Sequence, residues 1–228
     1  MRELLKDSVT RKQTRERIAK RAAKELSPSS IVNLGIGIPT LVTKYADLNS
    51  VFIHTENGML GVDELETVDD IDSNLVNAGK LPIGEHIGAS YFDSAESFAM
   101  IRGGHIDIAV LGALQVDEQC NIANWAVPGK TILGVGGAMD LLSGVKKVII
   151  TTNHIDKKGK SKVVSNCTYP VSTMRKLDLL ITDLAVFKNQ DNKLVLTELM
   201  PGVTIKEVEE MTEASFVVSE RLFDQKEV

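Results

Sequence analysis

The 228-residue chain is long enough to bury a substantial core, and its 43% hydrophobic and 25% charged content is ordinary for a soluble globular protein. Its formal net charge of −5 argues against a nucleic-acid-binding protein, which needs a basic face to neutralise phosphates. Anionic small molecules remain open as ligands, because a local site can be positive on an acidic protein. No stretch approaches the roughly 18 apolar residues of a membrane span, so the sequence predicts no membrane-spanning helix.

The N-terminal segment predicts an amphipathic helix. Residues 1–26 are rich in Lys and Arg but lack the apolar core of a signal peptide, and they contain acidic residues, which transit peptides avoid. Apolar residues between Ile18 and Leu26 fall on one helical face, which predicts a helix over about residues 10–26 with a solvated charged face. Cys120 and Cys167 lie far apart and outside any pairing motif, so we expect reduced thiols in a cytoplasmic protein.

Short apolar runs alternate with helix-like segments along the rest of the chain, a pattern that predicts a mainly parallel α/β sheet in one domain spanning residues 1–228. A hairpin is expected to turn through residues 189–192, and a closing helix at about 205–213 leads into a last strand at 216–218. The other strands are expected at residues 31–34, 51–54, 106–111, 147–151 and 179–182.

One helix has clear boundary signals. Asp93 followed three residues later by Glu96 is typical of a capping box, and Gly103-Gly104 ends the segment before the next strand. The acidic stretch of residues 63–72 is expected to form a surface loop or a short helix rather than a metal site.

The stretch of residues 54–61 places a carboxylate at the end of a buried strand. The apolar run of residues 51–53 is typical of a fully buried strand, and Asn57-Gly58 is a strong turn signal that ends it. Glu56 therefore lies where strand becomes loop, which is where open α/β sheets bind ligands. Because burying an unpaired carboxylate opposes folding, this position indicates a functional glutamate.

Two glycine-rich turns follow apolar runs. The first, Gly35-Ile36-Gly37, superficially resembles a dinucleotide fingerprint, but Pro39 and Thr40 stand where a third glycine is expected, and Pro39 suits the first turn of a helix. A tight strand-to-helix turn explains this pattern at least as well as NAD binding.

The second turn follows Ile132 and Leu133 and contains Gly134, Gly136 and Gly137. Glycines this close together let backbone N–H groups approach a negative oxygen, although a flexible bend before a helix is the alternative. Together with Glu56 the turn predicts an acyl-transfer site that pairs a carboxylate nucleophile with a backbone oxyanion hole.

The remaining polar residues form no rival site. His54 alternates with buried residues on a strand, so we expect a core histidine whose ring nitrogens are hydrogen-bonded. His105 lies in a turn into a strand, and Asp107 is expected to hydrogen-bond locally. The spacing of His and Cys does not match a metal site, and no nucleophile elbow is present.

A series of short motifs runs along almost the whole chain. The motifs are Gly35-Ile36-Gly37-Ile38-Pro39, Glu56-Asn57-Gly58, Ala89-Ser90-Tyr91-Phe92-Asp93-Ser94, Met100-Ile101-Arg102-Gly103-Gly104-His105-Ile106-Asp107, Leu111-Gly112-Ala113-Leu114-Gln115-Val116-Asp117, Asn124-Trp125, Gly134-Val135-Gly136-Gly137-Ala138-Met139-Asp140 and Pro201-Gly202-Val203-Thr204. In this order and at this spacing they make the chain resemble a known family, the class I CoA-transferases, and in particular the β subunits of the 3-oxoacid and butyrate–acetoacetate type.

The resemblance implies a fold and a catalytic residue. The implied fold is an open, mainly parallel sheet with helices on both faces, in a three-layer arrangement like that of sugar-phosphate isomerases. The family's catalytic glutamate lies in a Ser-Glu-Asn-Gly motif, which places it at Glu56, supported by Asn57 and Gly58, with Thr55 replacing the serine.

The resemblance also implies how the site is completed. The family's glycine loop corresponds to Gly134, Gly136 and Gly137, with the oxyanion donor at the amide of Gly136 or Gly137. An α subunit is expected to contribute the other half of the pocket, in an α2β2 or larger hetero-oligomer.

The implied reaction moves CoA between a short-chain acyl-CoA and a carboxylic acid such as acetoacetate, through a glutamyl-CoA thioester on Glu56. Coenzyme A is then a substrate, and no permanently bound cofactor or metal is expected. Two alternatives remain: a thioester hydrolase subunit, in which water intercepts the glutamyl intermediate, and a non-catalytic ligand-binding protein of the same fold.

Overall fold

The computed structural model describes residues 2–65, 67–130 and 134–224. Within these ranges the helices are α1 (Arg2–Ala23), α2 (Ser94–Arg102), α3 (Ala138–Gly144), α4 (Ile205–Met211) and α5 (Arg221–Asp224), with 3₁₀ helices at Pro39–Tyr45 and Val68–Asp70. The strands are β1 (Ile31–Leu34), β2 (Phe52–Thr55), β3 (Met59–Asp63), β4 (Gly84–Tyr91), β5 (Ile108–Gly112), β6 (Gln115–Asp117), β7 (Ile122–Ala123), β8 (Lys147–Thr151), β9 (Val163–Val164), β10 (Leu179–Ile181), β11 (Ala185–Gln190), β12 (Lys193–Leu199) and β13 (Val217–Val218).

The described strands form a large sheet with a parallel centre and antiparallel flanks. Its ten strands follow the order β13-β12-β11-β10-β8-β5-β1-β2-β3-β4. The central strands β10, β8, β5, β1 and β2 pair in parallel, whereas β3 and β4 on one side and β11 and β12 on the other pair antiparallel. A second, three-stranded sheet has the order β7-β6-β9.

Helices cover both faces of the large sheet, which confirms the predicted fold class. On one face Ile18 and Ala22 of α1 pack with Val42 of the 3₁₀ helix against the central strands. On the other face Ile101 of α2 and Leu142 of α3 belong to a separate buried cluster. The strands are apolar on both sides for this reason, and Val148, Ile149 and Ile150 of β8 are all fully buried.

The opening helix differs from its prediction. It begins at Arg2 rather than near residue 10 and ends at Ala23 rather than 26. The predicted start rested on the apolar face, which covers only the C-terminal half of the helix, where it packs on the sheet. Residues 2–17 contain no Gly or Pro, so the charged N-terminal half is helical as well. After Ala23 the helix gives way to turns, one of which has a hydrogen bond from the Leu26 N–H to the Ala23 carbonyl at 3.2 Å.

Most other predicted elements occur within one or two residues of their expected bounds. The hairpin of β11 and β12 turns through Asp191 and Asn192, both with positive φ (54° and 61°), as a two-residue type I′ turn requires. Two further strands of the large sheet, β3 and β4, and the whole small sheet were not predicted. The edge strand β4 is half-exposed along its length, so its sequence carries no alternation of apolar and polar residues.

The prediction that Asp107 hydrogen-bonds locally is wrong. One carboxylate oxygen accepts from the Ile31 N–H at 2.8 Å, and the other pairs with Lys146 Nζ at 2.7 Å. These contacts lower the pKa of Asp107, with the Ile31 hydrogen bond as the largest cause. Asp107 thus ties together the beginnings of β1, β5 and β8, which are adjacent in the sheet but distant in sequence.

Candidate active site

Glu56 is the first residue after β2, at the edge of the sheet where the parallel strands β1, β2 and β5 all end. From β1 the sheet continues to β2 on one side and to β5 on the other, so β1 marks the point where strand order reverses. Crevices at such a point are the usual binding sites of open α/β sheets. Gly35 closes the end of β1 tightly, because a Cβ there would lie 2.9 Å from Leu111 Cδ2.

Gly58 shapes the turn that carries Glu56. Its N–H donates to the Thr55 carbonyl at 3.0 Å, and its own carbonyl accepts from the Phe92 N–H at 3.0 Å. The residue has a φ of +127°, and a Cβ would lie 2.1 Å from the Phe92 carbonyl oxygen. Both the backbone conformation and the close approach therefore require glycine.

Asn57 and Thr55 hold a neighbouring segment in place. Asn57 Nδ2 donates to the Val76 carbonyl at 2.8 Å, and its Oδ1 accepts from the Thr55 hydroxyl at 2.5 Å. The same hydroxyl accepts from the Ala78 N–H at 3.1 Å. The serine that Thr55 replaces in the family motif could make the same two hydrogen bonds. Thr55 therefore keeps the hydroxyl that holds this segment and adds one methyl group.

The Glu56 carboxylate lies directly on the backbone of Gly137. A Cβ built on Gly137 would lie 2.6 Å from Glu56 Oε2 and 2.9 Å from Oε1, so a larger residue there would force the carboxylate to move. The Gly137 N–H lies near enough to the carboxylate to favour its charged form. Gly134 and Gly136 both have positive φ (109° and 56°) and open space around their α-carbons. Ile132 and Leu133, which introduce this loop in the sequence, lie outside the described residues.

The surroundings raise the pKa of the Glu56 carboxyl above its usual value. Partial burial is the largest cause, because removing water disfavours the charged form. The Gly137 N–H lowers the pKa, and the nearby Asp140 carboxylate raises it. A carboxylate that has lost part of its water shell and has a raised pKa is better suited to attack a carbonyl carbon than one in water.

His54 supports the site from the core. Its ring is buried, with Nδ1 3.0 Å from Asn33 Nδ2 and Nε2 3.1 Å from Ser97 Oγ, and it stacks on Phe92 at a centroid distance of 5.8 Å. Burial lowers the pKa of His54 to about 4, so the ring is neutral at physiological pH. The prediction of a hydrogen-bonded core histidine is confirmed, but the sequence did not identify Asn33 and Ser97 as its partners.

The two cysteines are free thiols and poor nucleophiles. Cys120 is buried and Cys167 half-buried. Burial, followed by the neighbouring Asp117 carboxylate, raises the pKa of each thiol to about 12. A thiol with such a pKa carries almost no thiolate at neutral pH, so neither cysteine competes with Glu56 as a nucleophile.

Two classes of site are not found among the described residues. No group of three or more His, Cys, Asp or Glu side chains within residues 2–65, 67–130 and 134–224 is arranged to hold a metal ion. The helices in the same ranges include none with the length and apolar character needed to cross a bilayer.

Three comparisons relate this architecture to known proteins. Residues 15–211 match the family model described as coenzyme A transferase. The chain is 50% identical over 214 residues to the B subunit of a probable succinyl-CoA:3-ketoacid coenzyme A transferase of Bacillus subtilis (strain 168), covering 93% of this chain and 99% of the relative. It is 48% identical over 213 residues to the beta subunit of the acetate CoA-transferase of Escherichia coli (strain K12), covering 93% and 97%.

A solved structure with the same fold is the acyl-CoA transferase YdiF apoenzyme of Escherichia coli O157:H7. The TM-score is 0.73 at 22% sequence identity, over 91% of this chain and 42% of that longer chain. At this identity the likeness shows the fold alone. The match of the family model, the relatives at about 50% identity and the shared fold together show that the chain belongs to the coenzyme A transferase family.

Proposed function

We propose that this chain is the β subunit of a heteromeric CoA-transferase that moves CoA between a short-chain acyl-CoA and a carboxylic acid such as acetoacetate. The nucleophile is Glu56, which carries CoA as a glutamyl thioester between the two half-reactions. The observation that carries the proposal is the contact of the Glu56 carboxylate with the backbone of Gly137, where any side chain would displace the carboxylate.

The reaction begins when an oxygen of ionised Glu56 attacks the thioester carbonyl carbon of the acyl-CoA. The carbon–sulfur bond breaks, and a mixed anhydride and the CoA thiolate are formed. The thiolate then attacks the glutamyl carbonyl carbon, which releases the first carboxylic acid as its anion and leaves CoA on Glu56. The acceptor carboxylate reverses these steps and restores Glu56. One thioester replaces another, so the exchange needs no energy from ATP.

The position of Gly137 suits this chemistry. When the thiolate attacks the glutamyl carbonyl, negative charge develops on a side-chain oxygen of Glu56 itself. The carboxylate already lies against the backbone of Gly137, so little reorganisation is needed for the Gly137 N–H to stabilise the oxyanion. This favours Gly137 over Gly136 as the oxyanion donor, because Gly136 has no neighbour within 4 Å of its Cβ position.

The names of the relatives support the substrate class and the partner. One is named for succinyl-CoA and a 3-ketoacid and another for acetate, and each is named as a B or beta subunit of a transferase. We therefore propose that short carboxylic acids, including a 3-ketoacid, are the substrates and that an α subunit completes the pocket, in a cytoplasmic hetero-oligomer of at least α2β2. The nucleophile and the glycine loop lie on this chain.

The test is the intact mass of this chain in its complex with the α subunit after incubation with acetoacetyl-CoA. We expect a CoA adduct on the chain, and after borohydride treatment we expect peptide mapping to find Glu56 reduced to its alcohol. A Glu56→Ala variant that still assembles is the matched control and should carry no adduct. An unmodified Glu56 in an assembled complex that binds CoA would overturn the proposal.

A further inference from the structure

Helix α2 connects the turn that carries Glu56 to the helix that carries Gly137. At its beginning, the Phe92 N–H donates to the Gly58 carbonyl at 3.0 Å, and the Asp93 side chain caps the helix. At its other end, Gly144 of α3 packs so closely that a Cβ there would lie 2.2 Å from the Ile101 carbonyl oxygen. Any shift of α2 relative to α3 therefore changes how Glu56 meets the glycine loop.

An ion pair joins the same two helices. Arg102 Nη1, in the last turn of α2, lies 3.2 Å from Asp140 Oδ1, in the first turn of α3. Asp140 is three residues after Gly137, so the two positions lie on the same side of the helix. Because the Glu56 carboxylate rests on Gly137, two carboxylates share one end of α3.

These two carboxylates repel each other unless a cation compensates. Asp140 is the charged group that acts on Glu56 among the described residues, while His54, two residues before Glu56 on β2, is neutral. Arg102 is the cation that faces Asp140, and no other ion pair of Asp140 is formed by the described residues. The guanidinium, whose side chain is 57% exposed, is thus placed to offset part of the negative field that Asp140 adds at the reacting carboxylate.

We propose that Arg102 and Asp140 are positioning residues for the transfer reaction, forming a charge pair in which Arg102 shields Glu56 from the Asp140 carboxylate. The pair sets how readily Glu56 ionises and so how much nucleophile is present at a given pH. This inference deepens the proposed function and rests on Glu56 being the reacting carboxylate.

The test is the pH profile of kcat/KM for the acyl-CoA, measured on the assembled complex at low salt. Its acid limb reports the ionisation of Glu56 in the free enzyme. Arg102→Gln exposes the charge of Asp140 and should move this limb up by about half a pH unit, whereas Asp140→Asn should move it down by a similar amount. In the double variant Arg102→Gln/Asp140→Asn the limb should return close to its wild-type position, because the opposing fields of the two charges at Glu56 are removed together.

A charge swap separates the electrostatic effect from a mechanical one. The variant Arg102→Asp/Asp140→Arg keeps an ion pair between α2 and α3 but places the cation beside Glu56. If the effect is electrostatic, the acid limb of this variant should lie at the same pH as that of Asp140→Asn or at a lower pH. Salt at 0.5 M should reduce all these shifts. The inference is overturned if every variant keeps the wild-type limb, or if the single variants lower only kcat and the swap restores it.

A second measurement does not depend on catalysis. Isotope-edited infrared titration of the carboxyl groups in the ¹³C-glutamate-labelled complex, taken as the difference from Glu56→Gln, follows the ionisation of Glu56 directly. The Arg102 and Asp140 variants should shift this titration in the same directions as the pH profile, and unchanged titrations would overturn the inference. A shifted titration in a complex that forms no CoA adduct would support the charge pair and refute the proposed function.

Discussion

The hydroxyl of Thr55 donates to Asn57 Oδ1 and accepts from the backbone of residue 78, so one side chain ties the nucleophile turn to the segment beside it. Asn57 extends this link by donating to the Val76 carbonyl. Glu56 lies between these two residues in sequence, and the hydrogen bonds of its neighbours therefore fix the backbone on both sides of the carboxylate. The polar groups of the turn position Glu56 without bonding to its carboxylate, as the proposed nucleophile requires.

Replacing Thr55 with valine should lower kcat about tenfold while keeping the shape of the side chain. The change leaves the Ala78 N–H and the Asn57 amide oxygen without a partner, and each lost bond to a buried hydroxyl costs about 1 kcal/mol. Thr55→Ser keeps both bonds and is the matched control, which should retain wild-type kcat. Steady-state kinetics of the two complexes checks this, and equal activity of the valine and serine variants would contradict it.

Adding one methyl group at Gly137 should abolish most of the activity. The Cβ of Gly137→Ala would lie 2.6 Å from Glu56 Oε2, so the carboxylate must move away from its backbone donor. Because loss of one oxyanion donor typically costs on the order of 100- to 1,000-fold in rate, we expect kcat to fall by that factor. Stability should change little, since the φ of Gly137 is an ordinary −78°.

A matched control separates this clash from the general effect of an added methyl. Gly202 has a φ of +81° and nothing within 4 Å of its Cβ position. Gly202→Ala should therefore lower Tm slightly through backbone strain and leave kcat unchanged. Circular dichroism melts and steady-state kinetics of both variants check these two expectations. A Gly137→Ala complex with normal kcat would show that catalysis does not depend on the contact between Glu56 and Gly137.

The position of Glu56 was predictable because its signal is local. An apolar strand, an acidic residue and an Asn-Gly turn are adjacent in the sequence, and these elements fold as predicted. The contact between Glu56 and Gly137 joins residues 81 positions apart, and no periodicity encodes such a distance. The chemistry of the residues suggested pairing the glycine loop with Glu56, and the resemblance to a family gave the oxyanion donor as Gly136 or Gly137.

The failures have a common physical cause. Asp107 was assigned a local partner, yet its partners are Ile31, the first residue of β1, and Lys146, which directly precedes β8, and only the sheet order makes these strands near neighbours. Likewise β4 is an exposed edge strand, and few of its side chains are buried. It is a strand because its backbone pairs with β3. Features that depend on tertiary neighbours rather than on burial patterns were not visible in the sequence.

Neutralising Glu56 should stabilise the protein at neutral pH. The folded state raises the pKa of Glu56, so it binds a proton more tightly than the unfolded state. The charged form therefore opposes folding, and this cost is present above the raised pKa and disappears as the pH falls below the usual value near 4.5. Glu56→Gln removes the charge while its amide oxygen still accepts from Gly137.

Thermal melts of the assembled complex check whether the charge on Glu56 opposes folding. We expect Glu56→Gln to raise Tm at pH 7 and the gain to vanish near pH 4. The exposed Glu209 on α4 offers the matched control, because Glu209→Gln removes the same charge from the surface and should leave Tm nearly unchanged at both pH values. A Glu56→Gln variant that is less stable than wild type at pH 7 would contradict the prediction.

Two buried histidines should make the protein sensitive to mild acid. His154 lies between Thr182 Oγ1 at 3.0 Å and Thr212 Oγ1 at 2.9 Å, and burial lowers its pKa to about 4, as it does for His54. The unfolded state takes up a proton near pH 6.5 while the folded state stays neutral until about pH 4. Stability is therefore lost as the pH falls between these values, by on the order of 3 kcal/mol for each histidine.

The measurement is the free energy of unfolding from urea titrations of the assembled complex between pH 7 and pH 4. We expect His154→Asn to be less stable than wild type at pH 7, because it loses packing and a threonine hydrogen bond, but to lose less stability on acidification. His105→Asn, at an exposed position, should follow the wild-type pH dependence. Removing a buried neutral imidazole must remove its share of the proton uptake that accompanies unfolding. If His154→Asn shows the same pH dependence as wild type, the loss of stability in acid therefore has another source.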